Sequence, residues 1–160
     1  MGPHINARRD IQVILDGVRY LVHRLRESSR EAERRIGLTA AQLFVLQHLG
    51  ASDDLSINDL AARTYTHQSS VSVVVSRLVR RGLVRRRQTP GDARRWSLSL
   101  SDEGRRVLKI APEASQTDII HALQRLPDRT RRELARAMNR LTRDMGAGDE
   151  QSMFFEAHPR

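Results

Sequence analysis

The chain has 160 residues, with 28 Lys+Arg against 19 Asp+Glu, a formal charge of +9 and a sequence pI near 11.4. That balance points to a polyanion as partner, and the absence of cysteine excludes disulfides, thiolate nucleophiles, zinc fingers and cysteine redox switches. With 39% apolar and 29% charged residues the core is modest, so one compact domain, or one domain with a dimerisation arm, is expected to fold with help from a partner subunit.

The residues from Met1 to Asp10 lack an apolar signal core, and no apolar run approaches the ~18–20 residues of a membrane span. A cytoplasmic protein is expected. From Ile11, apolar residues recur at Ile14, Leu15, Val18, Leu21, Val22 and Leu25, a helical stripe that predicts a long amphipathic helix ending near Gly37. Thr39-Ala40-Ala41-Gln42 has capping-box form and opens a helix carrying Leu43, Leu46 and Leu49, stopped by Gly50. Ser56, with Asp59 three residues on, caps a third helix over Ile57–Thr64, and Leu55 and Leu60 are placed to staple its entry.

A tight turn, Thr64-Tyr65-Thr66, leads to a fourth helix with Val71, Val74, Val75 and Leu78 on its buried stripe and Gly82 as its stop. Its other face carries His67, Gln68, Ser69, Ser70, Ser72, Val73 and Ser76. Short polar groups there suit a major groove, where Gln pairs with adenine, Ser with several base edges and Val73 with a thymine methyl. Ser69 and Ser70 serve equally well as capping or phosphate-holding groups.

After Gly82 the period changes to two. Leu83–Gln88 and Arg94–Leu100 read as strands joined by a Pro-Gly turn, with Trp96, Leu98 and Leu100 on one face and Trp96 read as wing core. Eight arginines (Arg77, Arg80, Arg81, Arg85, Arg86, Arg87, Arg94 and Arg95) and one acid, Asp92, put +7 of the net charge between positions 77 and 95. A basic patch on a helix-turn-helix and its hairpin is where a winged helix meets phosphates.

Ser101 caps a fifth helix that Pro112 should kink or split. Pro127-Asp128 opens a last helix with Leu134, Met138, Leu141 and Met145 on one stripe, ended by Gly146. Beyond it only Met153, Phe154 and Phe155 suggest docking. The fold class is mainly α, with a small β-hairpin wing.

Three segments, Gly82-Leu83-Val84 with Arg85-Arg86, Gly91-Asp92-Ala93-Arg94-Arg95, and Leu100-Ser101-Asp102-Glu103-Gly104, resemble the MarR family of bacterial transcriptional regulators. Ser70-Val71-Ser72 with Arg77-Leu78 likewise resembles its recognition helix. The resemblance covers nearly the whole chain and implies a winged helix-turn-helix with N- and C-terminal dimerisation helices. It divides the sequence into a dimerisation helix (1–36), a DNA-binding lobe (37–101), further dimerisation helices (102–146) and a tail (147–160).

The implied function is sequence-specific DNA binding by a homodimer on a pseudo-palindromic operator, with repression the commoner family outcome. The DNA-binding residues are then His67, Gln68, Ser69, Ser70, Ser72, Val73, Ser76 and Arg77 on the helix, and Arg80, Arg86, Asp92, Arg94 and Arg95 at the wing and its base. Arg94 would enter the minor groove, and Asp92 would orient an arginine through a charge-assisted bond. The implied dimer interface comprises Ile11, Ile14, Leu15, Val18, Ile119, Ile120, Leu123, Leu134, Met138 and Leu141.

Family members often bind a small aromatic or anionic effector beside the dimerisation helices. Here Arg86 at the wing base, with His23 and His48 as secondary candidates, could neutralise one. Two positions depart from the family pattern: Val73 stands where a basic residue is frequent, and Pro112 interrupts a helix that is usually continuous.

No nucleotide-binding, metalloprotease or nucleophile-elbow motif occurs, so no enzymatic activity, cofactor or metal is expected. The rival is a sequence-independent architectural DNA-binding protein using the same arginines.

Overall fold

The long stripe from Ile11 forms a single helix, α1 (Pro3–Ile36), about 50 Å long at 1.5 Å per residue. The computed structural model describes residues 3–52, 54–89 and 92–146, with the side chains of 3–6, 89 and 92–95 outside that description. The Pro90-Gly91 turn and the tail with Met153, Phe154 and Phe155 also lie outside the described residues.

Helix α2 (Ala40–Gly50) is the centre of the lobe: Leu43, Phe44, Val45, Leu46 and Leu49 are all buried, so it is covered on nearly every side. Both expected capping boxes form. The Gln42 amide donates to Thr39 Oγ1 at 3.3 Å while the Thr39 amide donates to Gln42 Oε1 at 3.1 Å. At α3 (Ile57–Thr64) the Asp59 amide donates to Ser56 Oγ at 3.1 Å and the Ser56 amide to Asp59 Oδ2 at 2.9 Å.

Helix α3 ends at Tyr65, which adopts the left-handed conformation (φ 53°) with no glycine to ease it. The turn is held by the Thr66 amide donating to Ala61 O at 3.0 Å and by Thr64 Oγ1 donating to Leu60 O at 2.7 Å. Helix α4 (Gln68–Arg80) follows, seating Val71, Val74, Val75 and Leu78 in the core. Gly82 then turns the chain at φ 71°.

The hairpin pairs β1 (Val84–Thr89) with β2 (Asp92–Leu100) antiparallel, in register from Val84 opposite Leu100 to Gln88 opposite Trp96, and slips between Gln88 and Thr89. Its root is core, through Leu83, Val84, Leu98 and Leu100. Leu98 also exchanges backbone hydrogen bonds with Leu55, at 2.8 and 3.2 Å, tying the hairpin to the entry of α3. Trp96 shares the face of Leu98 and Leu100 but is 38% exposed, which corrects its reading as wing core: the core under this face ends at Leu98. Strand alternation selects a face without setting how far along it the neighbouring helices reach.

Pro112 splits the helical run into α5 (Asp102–Ile110) and α6 (Ser115–Arg125), and the elbow between them is clamped. The Gln47 side-chain amide donates to Pro112 O at 2.9 Å and its Oε1 accepts from the Ala114 amide at 3.3 Å. Arg35 donates to Ile110 O at 3.0 Å, and the Ser115 amide donates to Ser28 Oγ at 3.2 Å. The backbone groups freed by proline thus find partners on α1 and α2.

Helix α7 (Asp128–Asp144) has Pro127 as its N-cap and is followed by Gly146 at φ 81°. None of its residues is buried.

Candidate nucleic-acid interface

The two elements that the basic patch occupies adjoin in space, because α4 runs through Gly82 straight into β1. The inward stripe of α4 fixes its rotation, and the opposite face is left for solvent or a ligand. His67, Gln68, Ser69, Val73 and Ser76 are exposed there, while Ser70, Ser72 and Arg77 are half-buried at the edges. His67 is the N-cap residue but makes no side-chain cap bond, so the first amides of α4 receive nothing from its imidazole. Ser76 Oγ donates back to Ser72 O at 2.8 Å, which holds its hydroxyl along the helix.

The arginines divide by partner. Arg81 donates to Gly37 O at 2.6 Å and ties the end of α4 to the end of α1. Arg85 pairs with Asp102 at 2.7 Å, joining the hairpin to α5. Arg86 lays its guanidinium over the Trp96 ring, 4.4 Å from the centroid, an arrangement that leaves its N–H edges available. Arg77 and Arg80 pair with no acid among the described residues and stand at the C-terminal end of the helix. Asp92, Arg94 and Arg95 belong to β2 by backbone, with their side chains outside the described set.

The three residues suggested for an anionic effector each have their own local partner. His23 lies 3.4 Å from Glu27 on exposed α1, Arg86 stacks on the wing, and His48 packs against Phe44 with ring centroids 4.6 Å apart while its Nε2 bonds to Arg63 O at 3.2 Å. Burial holds the His48 imidazole below its ordinary value, assisted by the Arg63 charge and opposed by the bond to the Arg63 carbonyl.

A histidine that resists protonation in the folded state contributes stability that is complete above the unfolded value of 6.5 and declines as pH falls below it. Denaturant unfolding at about pH 7.5 and about pH 5.5 should therefore show a larger acid loss for the wild type than for His48→Gln. Equal losses would remove His48 from the pH dependence.

Two features of the interface had weak sequence signals. Tyr65 is 70% exposed immediately before α4, and its hydroxyl accepts from Gln124 Nε2 at 3.1 Å, linking the turn of the helix-turn-helix to α6. The Arg86–Trp96 stack is visible in sequence only once the register is known, since the two residues sit diagonally across strands.

A helix pair whose second member exposes a polar face, followed by an arginine-rich antiparallel hairpin, defines a winged helix-turn-helix. Residues 36–95 match the family model described as MarR family. It is similar to the HTH-type transcriptional repressor MdtR of Bacillus subtilis (strain 168), with 34% identity over 95 residues, 59% of each chain. A second relative from that organism, the HTH-type transcriptional regulator YsmB, is 26% identical over 92 residues. The matches span 59% and 63% of the lengths of these two curated relatives.

Among solved structures, a probable transcriptional regulator from Pseudomonas aeruginosa is 30% identical, with a TM-score of 0.52, covering 76% of this chain and 93% of that one. Sco3205 of Streptomyces coelicolor, a MarR family transcriptional regulator solved in complex with DNA, shares the fold at 24% identity with a TM-score of 0.58, covering 89% of this chain and 91% of that one. Among the described residues no helix is long and apolar enough to cross a membrane.

Proposed function

We propose that this protein is a sequence-specific DNA-binding transcription regulator that acts as a homodimer on an inverted repeat and represses the genes it controls. The observation that carries this reading is the exposed polar face of α4, rotated outward by its buried valine stripe and flanked by the arginine hairpin. The name of the Bacillus relative supports repression, and the DNA complex of Sco3205 supports DNA as the partner.

On this reading residues 37–101 read DNA, while residues 1–36 and 102–146 dimerise. Gln68, the serines and Val73 meet base edges; Arg77, Arg80, Arg86 and Arg95 meet phosphates; Arg94 enters the minor groove; and Asp92 orients a wing or recognition-helix arginine. Two-fold symmetry sets the half-sites about one turn, roughly 34 Å, apart.

The exposed stripes on α1 and α7 support the dimer. Ile11, Ile14, Leu15 and Val18 face outward, as do Leu134, Met138 and Leu141, and Leu123 is exposed on α6. Ile119 and Ile120 are half-buried, and Ile120 packs against the lobe's own core. An effector of small aromatic or anionic chemistry, held near Arg86, His23 or His48, would regulate release. Stabilisation in a thermal-shift panel of phenolic acids tests that, and a panel without stabilisation rejects it for this class.

Selection from a random duplex library at about 150 mM salt with excess competitor tests the main reading. Recovery of an inverted repeat is expected; tight, salt-sensitive binding without a motif would favour the sequence-independent architectural role. At the residue level, Gln68→Ala should cost about 1–3 kcal/mol on preferred sites and little elsewhere. Arg94→Ala should weaken binding broadly and lower the salt slope by roughly one. Equal losses on all sequences for Gln68→Ala would reject its base-reading role.

A further inference from the structure

Helix α7 carries a second basic surface that the operator reading does not use. Arg132, Arg136 and Arg140 recur every four residues, and Arg143 extends the row, so the four share one face about half a turn from the stripe of Leu134, Met138 and Leu141. Whatever covers the apolar stripe therefore leaves the arginine row in solvent.

The acids of this helix are mostly taken up elsewhere: Arg129 pairs with Glu133 at 2.9 Å, and Arg131 pairs with Asp128. Among the described residues none of the four row arginines has an ion-pair partner. Like charges one turn apart disfavour the helix that carries them, and of its acids only Asp144, four residues after Arg140, is left to offset the row.

We propose that this row binds the phosphate backbone of a second DNA duplex, so that one dimer holds two segments. Duplex DNA is favoured over an acidic protein because the face contains no aromatic or large aliphatic anchor. Protein interfaces concentrate their energy in such anchors, whereas a phosphate track needs only cations at regular spacing. The row advances about 6 Å per step along the helix, and arginine's planar fork reaches phosphate oxygens in pairs.

The test mixes full-length protein with two populations of short random-sequence duplex, one carrying a donor fluorophore and one an acceptor, at about 150 mM salt. Wild-type protein should bring the two labels together. The variant R132Q/R136Q/R140Q/R143Q should lose that proximity signal about tenfold or more while binding a single duplex within about threefold of wild type. Glutamine keeps the helix propensity, circular dichroism checks the fold, and the matching lysine variant should retain the signal.

Four results would overturn the proposal. Wild type that binds one duplex but never pairs two leaves the row to an acidic protein or to solvent. Pairing that survives in the glutamine variant places the second duplex elsewhere. Loss of single-duplex binding in that variant assigns the row to the first DNA site. Wild type that binds neither these duplexes nor any sequence recovered from the random library rejects the operator reading together with this one.

Discussion

Replacing Gly104 with alanine is expected to lower the unfolding free energy by about 3 kcal/mol, at the upper end of the usual overpacking range. A Cβ built there would stand 2.1 Å from Leu83 O and 3.1 Å from Leu83 C, and both neighbours are backbone. Leu83 O is already committed, accepting the Ser101 amide at 3.0 Å. Ser101 in turn donates its hydroxyl to Gly82 O at 2.6 Å and accepts the Gly104 amide at 2.9 Å. Four residues thus close a seam at which the returning hairpin becomes α5, and the methyl group must break it or push the strand out of the core.

A useful contrast is Gly17, mid-helix in α1, where a Cβ meets nothing within 4 Å. Gly17→Ala should leave stability unchanged or raise it by about 0.5–1 kcal/mol. Thermal unfolding of both variants separates the two effects, with Gly104→Ala shifting the midpoint down by on the order of 6–12 °C. A Gly104→Ala protein as stable as wild type would mean that the seam can open without cost.

That seam also shows where the sequence was readable. Gly104 is visible as the last residue of Leu100-Ser101-Asp102-Glu103-Gly104, but the reason for a glycine there requires Leu83, twenty-one residues earlier, to be folded back against it. Local signals worked where the physics is local: both capping boxes, the stop at Gly82 and the interruption at Pro112 depend on residues within a turn of one another.

Signals failed where conformation is imposed from outside. Tyr65 and Asp54 hold positive φ without being glycine, and nothing in their neighbours' identities announces it. The basic patch was legible as charge, yet the partners that engage Arg81 and Arg85 lie on α1 and α5 and appear only in three dimensions. Composition therefore counted more free arginines than the folded surface offers.

On the proposed homodimer, introducing glutamate at both Leu134 and Met138 is expected to give a monomer and to weaken binding to the proposed operator by about a hundredfold or more. Helix α7 is 17 residues long and buries none of them within its own chain, with Leu134, Met138 and Leu141 each 41–45% exposed. Most helical stability comes from packing an amphipathic face, so the stripe calls for an apolar surface to cover it.

The outward stripe on α1 offers such a surface in a second copy of the chain. Burying one leucine or methionine contributes about 1.5–3 kcal/mol, and two-fold symmetry applies each substitution twice. The two carboxylates per chain would also have to be buried without partners, or the interface abandoned.

Sedimentation equilibrium should return twice 18.3 kDa for the wild type and 18.3 kDa for the double variant. Helicity should fall in the variant by about the share of α7, since the arm loses its cover, while the lobe's core from Leu38 to Leu100 stays folded. The DNA effect follows from geometry: a monomer engages one half-site, and the second can no longer bind at the high effective concentration that the dimer provides. A double variant that remains dimeric would move the interface onto α1 and α6, and the exposed stripe of α7 would then need another cover.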